Sequence, residues 1–260
     1  MNRAAIAFAI TLLSLPLCAS AHFVTLIPDT DIVADASKPL KLSLSFTHPM
    51  ERGPIMEMAR PKQFGVLRDG VKTDLMPALK ESKQDGKSVY SAEYQQNTPG
   101  DCIFYVEPAP YWEKAERKYI IHYTKVIVDF LSFGEGWDKL VGLPVEIEPL
   151  SRPFGLYEGN EFRGVVLKDG KPVPNATVEV EHLNGHEGLP LAEAPTDMHV
   201  TQVVKADASG VFSFVMPKAG WWGFAALVDG EKVKGPDGKE ADTELGGLIW
   251  VKAYPWKQAK

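Results

Sequence analysis

Apolar and polar residues alternate along much of the chain with a period of two. Leu40, Leu42, Leu44 and Phe46 are each followed by a polar residue, which is the pattern of a strand with one buried face. Further strands are predicted at residues 64–67, 89–94, 102–107, 119–128, 160–167, 176–182, 199–205, 211–216, 224–228 and 248–254. No segment keeps a 3.6-residue apolar period long enough for a substantial helix, and the pattern leaves open only short helical pieces near residues 113–118. The pattern predicts an all-β protein.

Turn signals separate these strands. Asp69-Gly70, Asp85-Gly86 and Asp169-Gly170 are dipeptides typical of tight hairpins, because both residues tolerate a positive φ. The charged, Gly-rich segment Asp229–Glu244 is expected to be a long mobile hairpin loop.

A Pro-rich segment, Leu143–Phe154, divides the predicted strands into two sets, and we place a domain boundary in it near Leu150. The sequence then predicts two antiparallel β-sandwich domains, residues 22–150 and 151–260. Many short strands joined by tight turns favour an immunoglobulin- or transthyretin-like sandwich for the second.

The amino terminus has the pattern of a signal peptide. Arg3 precedes the apolar run Ala4–Leu17, and Ala19-Ser20-Ala21 supplies the small residues that signal peptidase requires. The run is shorter than the roughly 20 apolar residues that cross a membrane. We therefore expect residues 1–21 to be removed after Ala21, leaving a soluble periplasmic protein with no direct membrane insertion.

The charge of the chain indicates which classes of partner it can bind, and its cysteines indicate whether it forms a disulfide. The formal net charge is −6, and loss of Arg3 with the signal peptide makes it −6 − 1 = −7. A mildly acidic chain without basic clusters is not expected to bind nucleic acid, whereas it is compatible with binding a cation. Cys18 leaves with the signal peptide, so Cys102 has no internal partner, and its apolar neighbours predict a buried, inert thiol.

The sequence contains no motif of a common enzyme class. It has no Gly-x-Ser-x-Gly elbow, Walker loop, dinucleotide fingerprint or His-Glu-x-x-His pair. We therefore expect a protein without catalytic activity.

Three histidines of the first predicted domain are candidate metal ligands. Cleavage would make His22 the first residue, and its α-amine and imidazole Nδ1 could then chelate one cation, since the amine has a reference pKa of about 7.7–8.0. Nitrogen ligands of this kind suit Ni, Co, Cu and Zn. His48 shares its parity with the apolar face of residues 40–46, and His122 lies among apolar residues. The pattern leaves open that His22 begins a frayed strand and that the other two are hydrogen-bonded core residues.

Other residues leave further alternatives open. His182 and His186 are four residues apart, but the intervening Asn184-Gly185 indicates a turn, so a second weak metal site there is not assured. Met50, Met56 and Met58 are either thioether ligands, which would favour copper, or ordinary packing residues. The Trp221-Trp222 pair is either a sugar-binding platform or part of a sandwich core.

Several segments resemble one family of exported bacterial proteins. The segments are FTHPMERGPIM (46–56), PGDCIFYVEP (99–108), IIHYTK (120–125), GLPVEI (142–147), RPFGLY (152–157) and AGWWGF (219–224). The family carries a domain of unknown function and is labelled a periplasmic component of nickel/cobalt uptake (NikM-like or NikK-like). The resemblance covers essentially the whole mature chain and implies that His22, His48 and His122 act together. The second domain is also similar to carboxypeptidase-regulatory or Cna-B-like sandwiches, which are commonly structural.

Residue pattern and resemblance together predict a periplasmic protein that binds Ni or Co, with Cu or Zn as other candidates. It would support uptake by a membrane metal transporter, with His22, His48 and His122 as ligands and no catalytic residues. Two alternatives are a copper-dependent oxidase with an amino-terminal histidine brace and a metal-free interaction or carbohydrate-binding module.

Overall fold

A computed structural model describes residues 22–257 of the protein. The predicted signal peptide, its cleavage after Ala21 and residues 258–260 lie outside the described residues. Across residues 22–257 the regular structure is made of β-strands and three short 3₁₀ helices, which confirms the all-β prediction. None of the helices in this part of the chain is long and apolar enough to cross a membrane.

The strands are numbered in chain order. They are Phe23–Pro28 (β1), Ile32–Val33 (β2), Leu40–Thr47 (β3), Gln63–Arg68 (β4), Val71–Asp74 (β5), Lys80–Gln84 (β6), Lys87–Tyr94 (β7), Gly100–Glu107 (β8), Tyr111–Glu113 (β9), Lys118–Phe130 (β10), Val145–Pro149 (β11), Leu156–Tyr157 (β12), Glu161–Lys168 (β13), Lys171–Pro172 (β14), Thr177–His182 (β15), Gln202–Lys205 (β16), Val211–Val215 (β17), Gly220–Asp229 (β18), Val233–Lys234 (β19) and Glu240–Tyr254 (β20). The 3₁₀ helices are Met76–Ala78, His186–Gly188 and Asp197–His199.

The strands form three layers. A central sheet runs in the order β16-β15-β18-β20-β10-β8-β4-β5. Two short strands, β2 and β9, also pair with β10, and two others, β12 and β19, pair with β20. One face packs on the sheet β1-β3-β7-β6, and the other packs on the sheet formed by β11, β13, β14 and β17. Alternation along β10 shows why, because Val126 and Val128 enter one hydrophobic core and Ile127 enters the other. The protein is thus a β-sandwich whose central sheet has two buried faces.

The central sheet continues across the boundary that the sequence predicts near Leu150. β10, before that boundary, pairs in parallel with β20, after it, from Lys118↔Asp242 to Val126↔Trp250. Two further pairings, β2 with β10 and β12 with β20, are also parallel. Separate folding of residues 151–260 therefore stays a prediction, and in the full chain the two parts share a sheet.

The three predicted Asp-Gly hairpins are present. The aspartates have φ values of 50°, 51° and 50°, and the glycines that follow have values of 76°, 77° and 72°. Two successive positive φ values are the mark of a type I′ turn, whose twist matches that of the flanking strands. The confirmed turns are Asp69-Gly70, Asp85-Gly86 and Asp169-Gly170.

The structure settles one alternative that the sequence left open and corrects two local predictions. Residues 114–117 form a turn rather than a helical piece, and Arg117 has a φ of 56°, which a right-handed helix does not allow. In the predicted strand 199–205, only residues from Gln202 onward pair with β15. The segment 229–244 is a hairpin, but its second strand begins at Glu240, because Ala241 and Thr243 already alternate into the interior.

Candidate metal centre

His22 and His48 are brought together by the pairing of β1 with β3. Phe23 is opposite Thr47 in the antiparallel register, so the residue before β1 lies beside the residue after β3. The two imidazole centroids are 4.7 Å apart, with the ring planes tilted by 51°. The alternation that assigned His48 to the end of the inward face is therefore correct, and His48 is buried.

His22 is held on its other side by a carboxylate. Its Nε2 lies 3.2 Å from Oε2 of Glu113, at the end of β9. Burial, followed by the nearby imidazole of His48, lowers the pKa of His22 to about 4, although Glu113 opposes the shift. His22 is therefore neutral at physiological pH, with its Nε2 facing a carboxylate oxygen of Glu113. The neutral imidazole is the form that binds metals, and a hydrogen on Nε2, where it would face the carboxylate, would leave Nδ1 free to bind a metal ion.

His122 lies on β10, over the backbone of Gly246 on β20. A Cβ at Gly246 would come within 2.4 Å of Cδ2 of His122, so the glycine provides the space for the imidazole. His122 is 2% exposed, and its Nε2 lies 3.3 Å from Oε1 of Glu244. Its Nδ1 is buried and has no hydrogen-bond partner in the described part of the chain.

Glu244 is held in its ionised form. Burial would raise its pKa, but the hydrogen bond and charge of His122 and the ammonium of Lys118 lower the pKa to about 2. Nζ of Lys118 lies 2.6 Å from Oε2 of Glu244, which leaves Oε1 for His122. This carboxylate therefore accepts a hydrogen bond from Nε2 of His122, and Glu113 lies near Nε2 of His22 in a similar way.

Phe46 connects the two parts of the centre. Its ring centroid is 5.6 Å from that of His22 and 6.3 Å from that of His122. Within residues 22–257, no three His, Cys, Asp or Glu side chains form a ready-made metal-binding group. The structure therefore shows a histidine pair, His22 and His48, with His122 adjoining it across one aromatic ring.

A pocket of about 300 Å³ adjoins this centre. His122, Phe46 and Met58 line it together with the aromatic residues Tyr111 and Trp112. Met56 and Met58 are buried in the hydrophobic core, which agrees with a packing role for both.

The other candidates have different surroundings. Nε2 of His182 lies 3.0 Å from the carbonyl oxygen of Ala219, and Nδ1 of His186 lies 3.8 Å from Glu187. Residues 182 and 186 belong to no metal-binding group of the described chain. Cys102 is fully buried, which raises the pKa of its thiol to about 12 and agrees with an inert side chain. Trp221 and Trp222 lie in the two hydrophobic cores and are not exposed as a platform.

Glu113 and Glu244 are the residues that the sequence did not indicate. Glu113 lies in a segment where the sequence left a short helical piece open, and Glu244 lies at the end of the segment predicted to be a loop. One signal was available for Glu244, because it shares its parity with Gly246, Leu248 and Trp250 and therefore belongs to the same face of a strand.

The sequence profile of a family described as a domain of unknown function (DUF4198) matches residues 19–230. The chain belongs to this family. The matched range includes His22, His48, His122 and Glu113, and it ends before Glu244. The DUF4198 description names no ligand or activity, and no curated protein matches the chain.

The solved structures to which this DUF4198 chain is similar have low sequence identity and low TM-scores. They include the native conformation of alpha-2-macroglobulin from E. coli (10% identity, 90% of this chain, 14% of that chain, TM-score 0.25). Another is dimeric latent PorU from Porphyromonas gingivalis (12% identity, 89% of this chain, 20% of that chain, TM-score 0.23). A third is the I9–I11 tandem of titin (10% identity, 90% of this chain, 66% of that chain, TM-score 0.22). The chain thus spans a fifth or less of the first two proteins, and TM-scores this low support no conclusion about function.

Proposed function

We propose that the mature protein is a periplasmic, non-enzymatic protein that binds Ni²⁺ or Co²⁺ and supports its uptake by a membrane transporter. The observation that supports it best is the orientation of two imidazoles. His22 and His122 each direct Nε2 to a glutamate, at 3.2 Å and 3.3 Å. Metal-binding histidines usually donate their other ring N–H to such a carboxylate, which fixes the tautomer and makes the free nitrogen more basic.

Three nitrogens would hold the ion at the histidine pair. Cleavage after Ala21 would give His22 a free α-amine, which together with Nδ1 can close a chelate ring, and His48 lies beside that ring. His122 would be the fourth, because its Nδ1 is buried without a partner. Nitrogen donors in this number suit the late divalent transition metals rather than Mg²⁺ or Ca²⁺.

The ion would be the cargo of this protein rather than a catalytic cofactor. A site made of His22, His48 and the α-amine would lie at the edge of the fold, where β1 begins. A metal ion held by a terminal residue can be passed to another protein. The sheet of β11, β13, β14 and β17 would serve as scaffold or as the surface that meets the transporter.

A second candidate function is copper-dependent oxidation. An amino-terminal histidine and one further histidine are also the ligands of a histidine brace, and a pocket of about 300 Å³ lined by Tyr111 and Trp112 lies next to the centre. Oxygen consumption that requires both bound copper and a reductant would favour this function over metal delivery.

The test is metal analysis of the protein purified from the periplasm with its native amino terminus. We expect Ni or Co at up to one ion per chain, and loss of the ion in His22→Ala and His48→Ala. His199→Ala is the matched control, because His199 is exposed and bonded to Thr196. Protein that neither retains nor binds any divalent transition metal would refute the proposal and favour a metal-free interaction module.

A further inference from the structure

The three histidines of the candidate metal centre come from two layers of the sandwich. His22 precedes β1 and His48 follows β3 in the sheet β1-β3-β7-β6, whereas His122 lies on β10 of the central sheet. The turn that begins at His48 joins these layers, because residues at the end of β15, another strand of the central sheet, bond to it. These bonds hold the end of β3 against the central sheet.

Glu181, the last residue but one of β15, is the first of these residues. The backbone N–H of Met50 donates a hydrogen bond to Oε2 of Glu181 at 3.1 Å. Oε1 accepts a hydrogen bond from the hydroxyl of Thr201, which fixes the orientation of the carboxyl group. Glu181 is fully buried, and in such surroundings a hydrogen bond is stronger than it is in water.

Asn184, just beyond β15, makes a second set of bonds to the same turn. Its Nδ2 donates to the carbonyl oxygen of Met50 at 3.0 Å, and its backbone N–H donates to the carbonyl oxygen of Pro49 at 3.2 Å. Nδ2 and Oδ1 of Asn184 also bond to the backbone of Ala192, so this side chain is itself held in place. Both residues that directly follow His48 are therefore bonded to this part of the chain.

The hydrogen bonds within the turn are long, and part of its backbone is unfavourable. The N–H groups of Arg52 and Gly53 donate to the carbonyl oxygens of Pro49 and His48, at 3.3 Å and 3.1 Å. Arg52 has a φ of 65°, a left-handed conformation that is costly for a residue with a Cβ. The turn therefore depends on bonds from outside it to keep its shape.

We propose that Glu181 and Asn184 are positioning residues of the metal centre, which hold His48 in place for the ion beside His22. The proposal rests on the proposed function, because it concerns the same site. Neither residue would touch the ion, since each acts through the backbone that follows His48. A buried carboxyl group is costly, and this role gives a reason for one at position 181. The centre would then need residues on both sides of the predicted boundary near Leu150.

The first experiment is calorimetric titration of the mature protein, beginning at His22, with Ni²⁺ at neutral pH. Asn184→Asp keeps the size of the side chain but removes its N–H donors, so the affinity should fall about tenfold, as when other groups that orient metal ligands are removed. The added negative charge would by itself favour the cation and cannot explain a loss. Glu181→Met has no acceptor for Met50 and should also lower the affinity, whereas Glu181→Gln keeps an acceptor and should retain it.

A double-mutant cycle separates positioning from a general loss of stability. His48→Ala keeps the amino-terminal chelate, so weak binding remains measurable, and in this background Asn184→Asp should cause no further loss of affinity. Asp129→Asn is the matched control, because Asp129 is also buried and also holds a loop, through backbone N–H groups at the opposite end of β10 from His122. It should leave the affinity unchanged.

Each of these titrations has a result that would overturn the proposal. Wild-type affinity in both Asn184→Asp and Glu181→Met would refute it. An equal loss in Asp129→Asn, or the same loss from Asn184→Asp with and without His48, would show that affinity follows stability and not the position of His48. An equal loss in Glu181→Gln and Glu181→Met would mean that the bond to Met50 is not the cause.

A measurement on the metal-free protein makes the test independent of the proposed function. The imidazole hydrogens of His22 and His48 should give a nuclear Overhauser cross-peak in the wild type, because the ring centroids are 4.7 Å apart. The cross-peak should be weaker in Asn184→Asp and Glu181→Met, and equal strength in all three proteins would refute the positioning role. A wild type that binds no Ni²⁺ would refute the proposed function instead, and the cross-peak would still decide this one.

Discussion

His22 and His48 lie side by side, with ring centroids 4.7 Å apart, because one directly precedes β1 and the other directly follows β3. The antiparallel register Phe23↔Thr47 sets this distance. A shift of the register by one residue would turn His48 to the opposite face. The metal centre that we propose is therefore fixed by a backbone pairing rather than by a loop.

The glycine beneath His122 offers a test of that residue. In Gly246→Ala the new Cβ would lie 2.4 Å from Cδ2 of His122 and would displace the imidazole. We expect Ni²⁺ affinity to fall at least about tenfold, measured by calorimetric titration. Gly247→Ala is the matched control, because its Cβ would meet the backbone of Val145 and Glu146 at 2.9 Å, on the other face of the sheet. Equal losses of affinity in the two variants would mean that His122 is not a ligand.

Glu181 makes stability depend on pH. It is fully buried, and burial raises its pKa to about 8, although Thr201 and the backbone N–H of Met50 donate hydrogen bonds to it. The folded state therefore holds a proton that the unfolded state releases near its ordinary pKa of 4.5. The free energy of unfolding should consequently decrease as pH rises from about 4.5 to 8.

Glu181→Gln removes this titration. At pH 8.5 we expect the free energy of unfolding of this variant to exceed that of the wild type by an amount on the order of a few kcal/mol, so that its midpoint of thermal unfolding is higher. At pH 5 the two proteins should differ less. Glu193→Gln, at an exposed position, is the control and should follow the wild type throughout. A constant difference between Glu181→Gln and wild type across this pH range would contradict the assignment.

Lys125 and Glu146 form a buried ion pair in which Glu146 has additional hydrogen-bond donors. Nζ lies 2.7 Å from Oε1, and Glu146 also accepts backbone hydrogen bonds from Val141, Gly142 and Leu143. Glu146→Gln leaves the ammonium buried without its counter-ion, so the free energy of unfolding should fall by about 3–5 kcal/mol.

Lys125→Met is the comparison for this pair, because the remaining carboxylate keeps its three N–H donors. Its loss should be clearly smaller than that of Glu146→Gln, as measured by urea unfolding. A larger loss in Lys125→Met would show that the ammonium, and not the backbone, is the main partner of Glu146.

Local patterns were sufficient to predict much of the fold. The pattern placed β3 and most of β10 to within a few residues. In β3 buried apolar residues alternate with polar ones, whereas β10 is buried along most of its length. β6 was missed because Lys80–Gln84 is exposed throughout and contains no apolar residue. The parallel pairing of β10 with β20 joins residues far apart in the chain, and no local signal specifies such a pairing.

The candidate site was predictable in part for the same reason. The parity of His48 followed from the alternation of β3, whereas its contact with His22 depends on the register of two strands. Glu113 and Glu244 reach the histidines only through β9 and β20, which pair with β10.

The most direct test of the metal-binding proposal changes the amino terminus and no side chain. Ni²⁺ and Cu²⁺ affinities should be measured for protein that begins at His22 and for protein with one alanine added before His22. The extra residue converts the α-amine into an amide, which is a very poor ligand, and leaves the imidazoles in place. We predict at least about a hundredfold weaker binding, with unchanged thermal unfolding of the metal-free forms. Equal affinities of the two proteins would contradict the amino-terminal chelate and the account built on it.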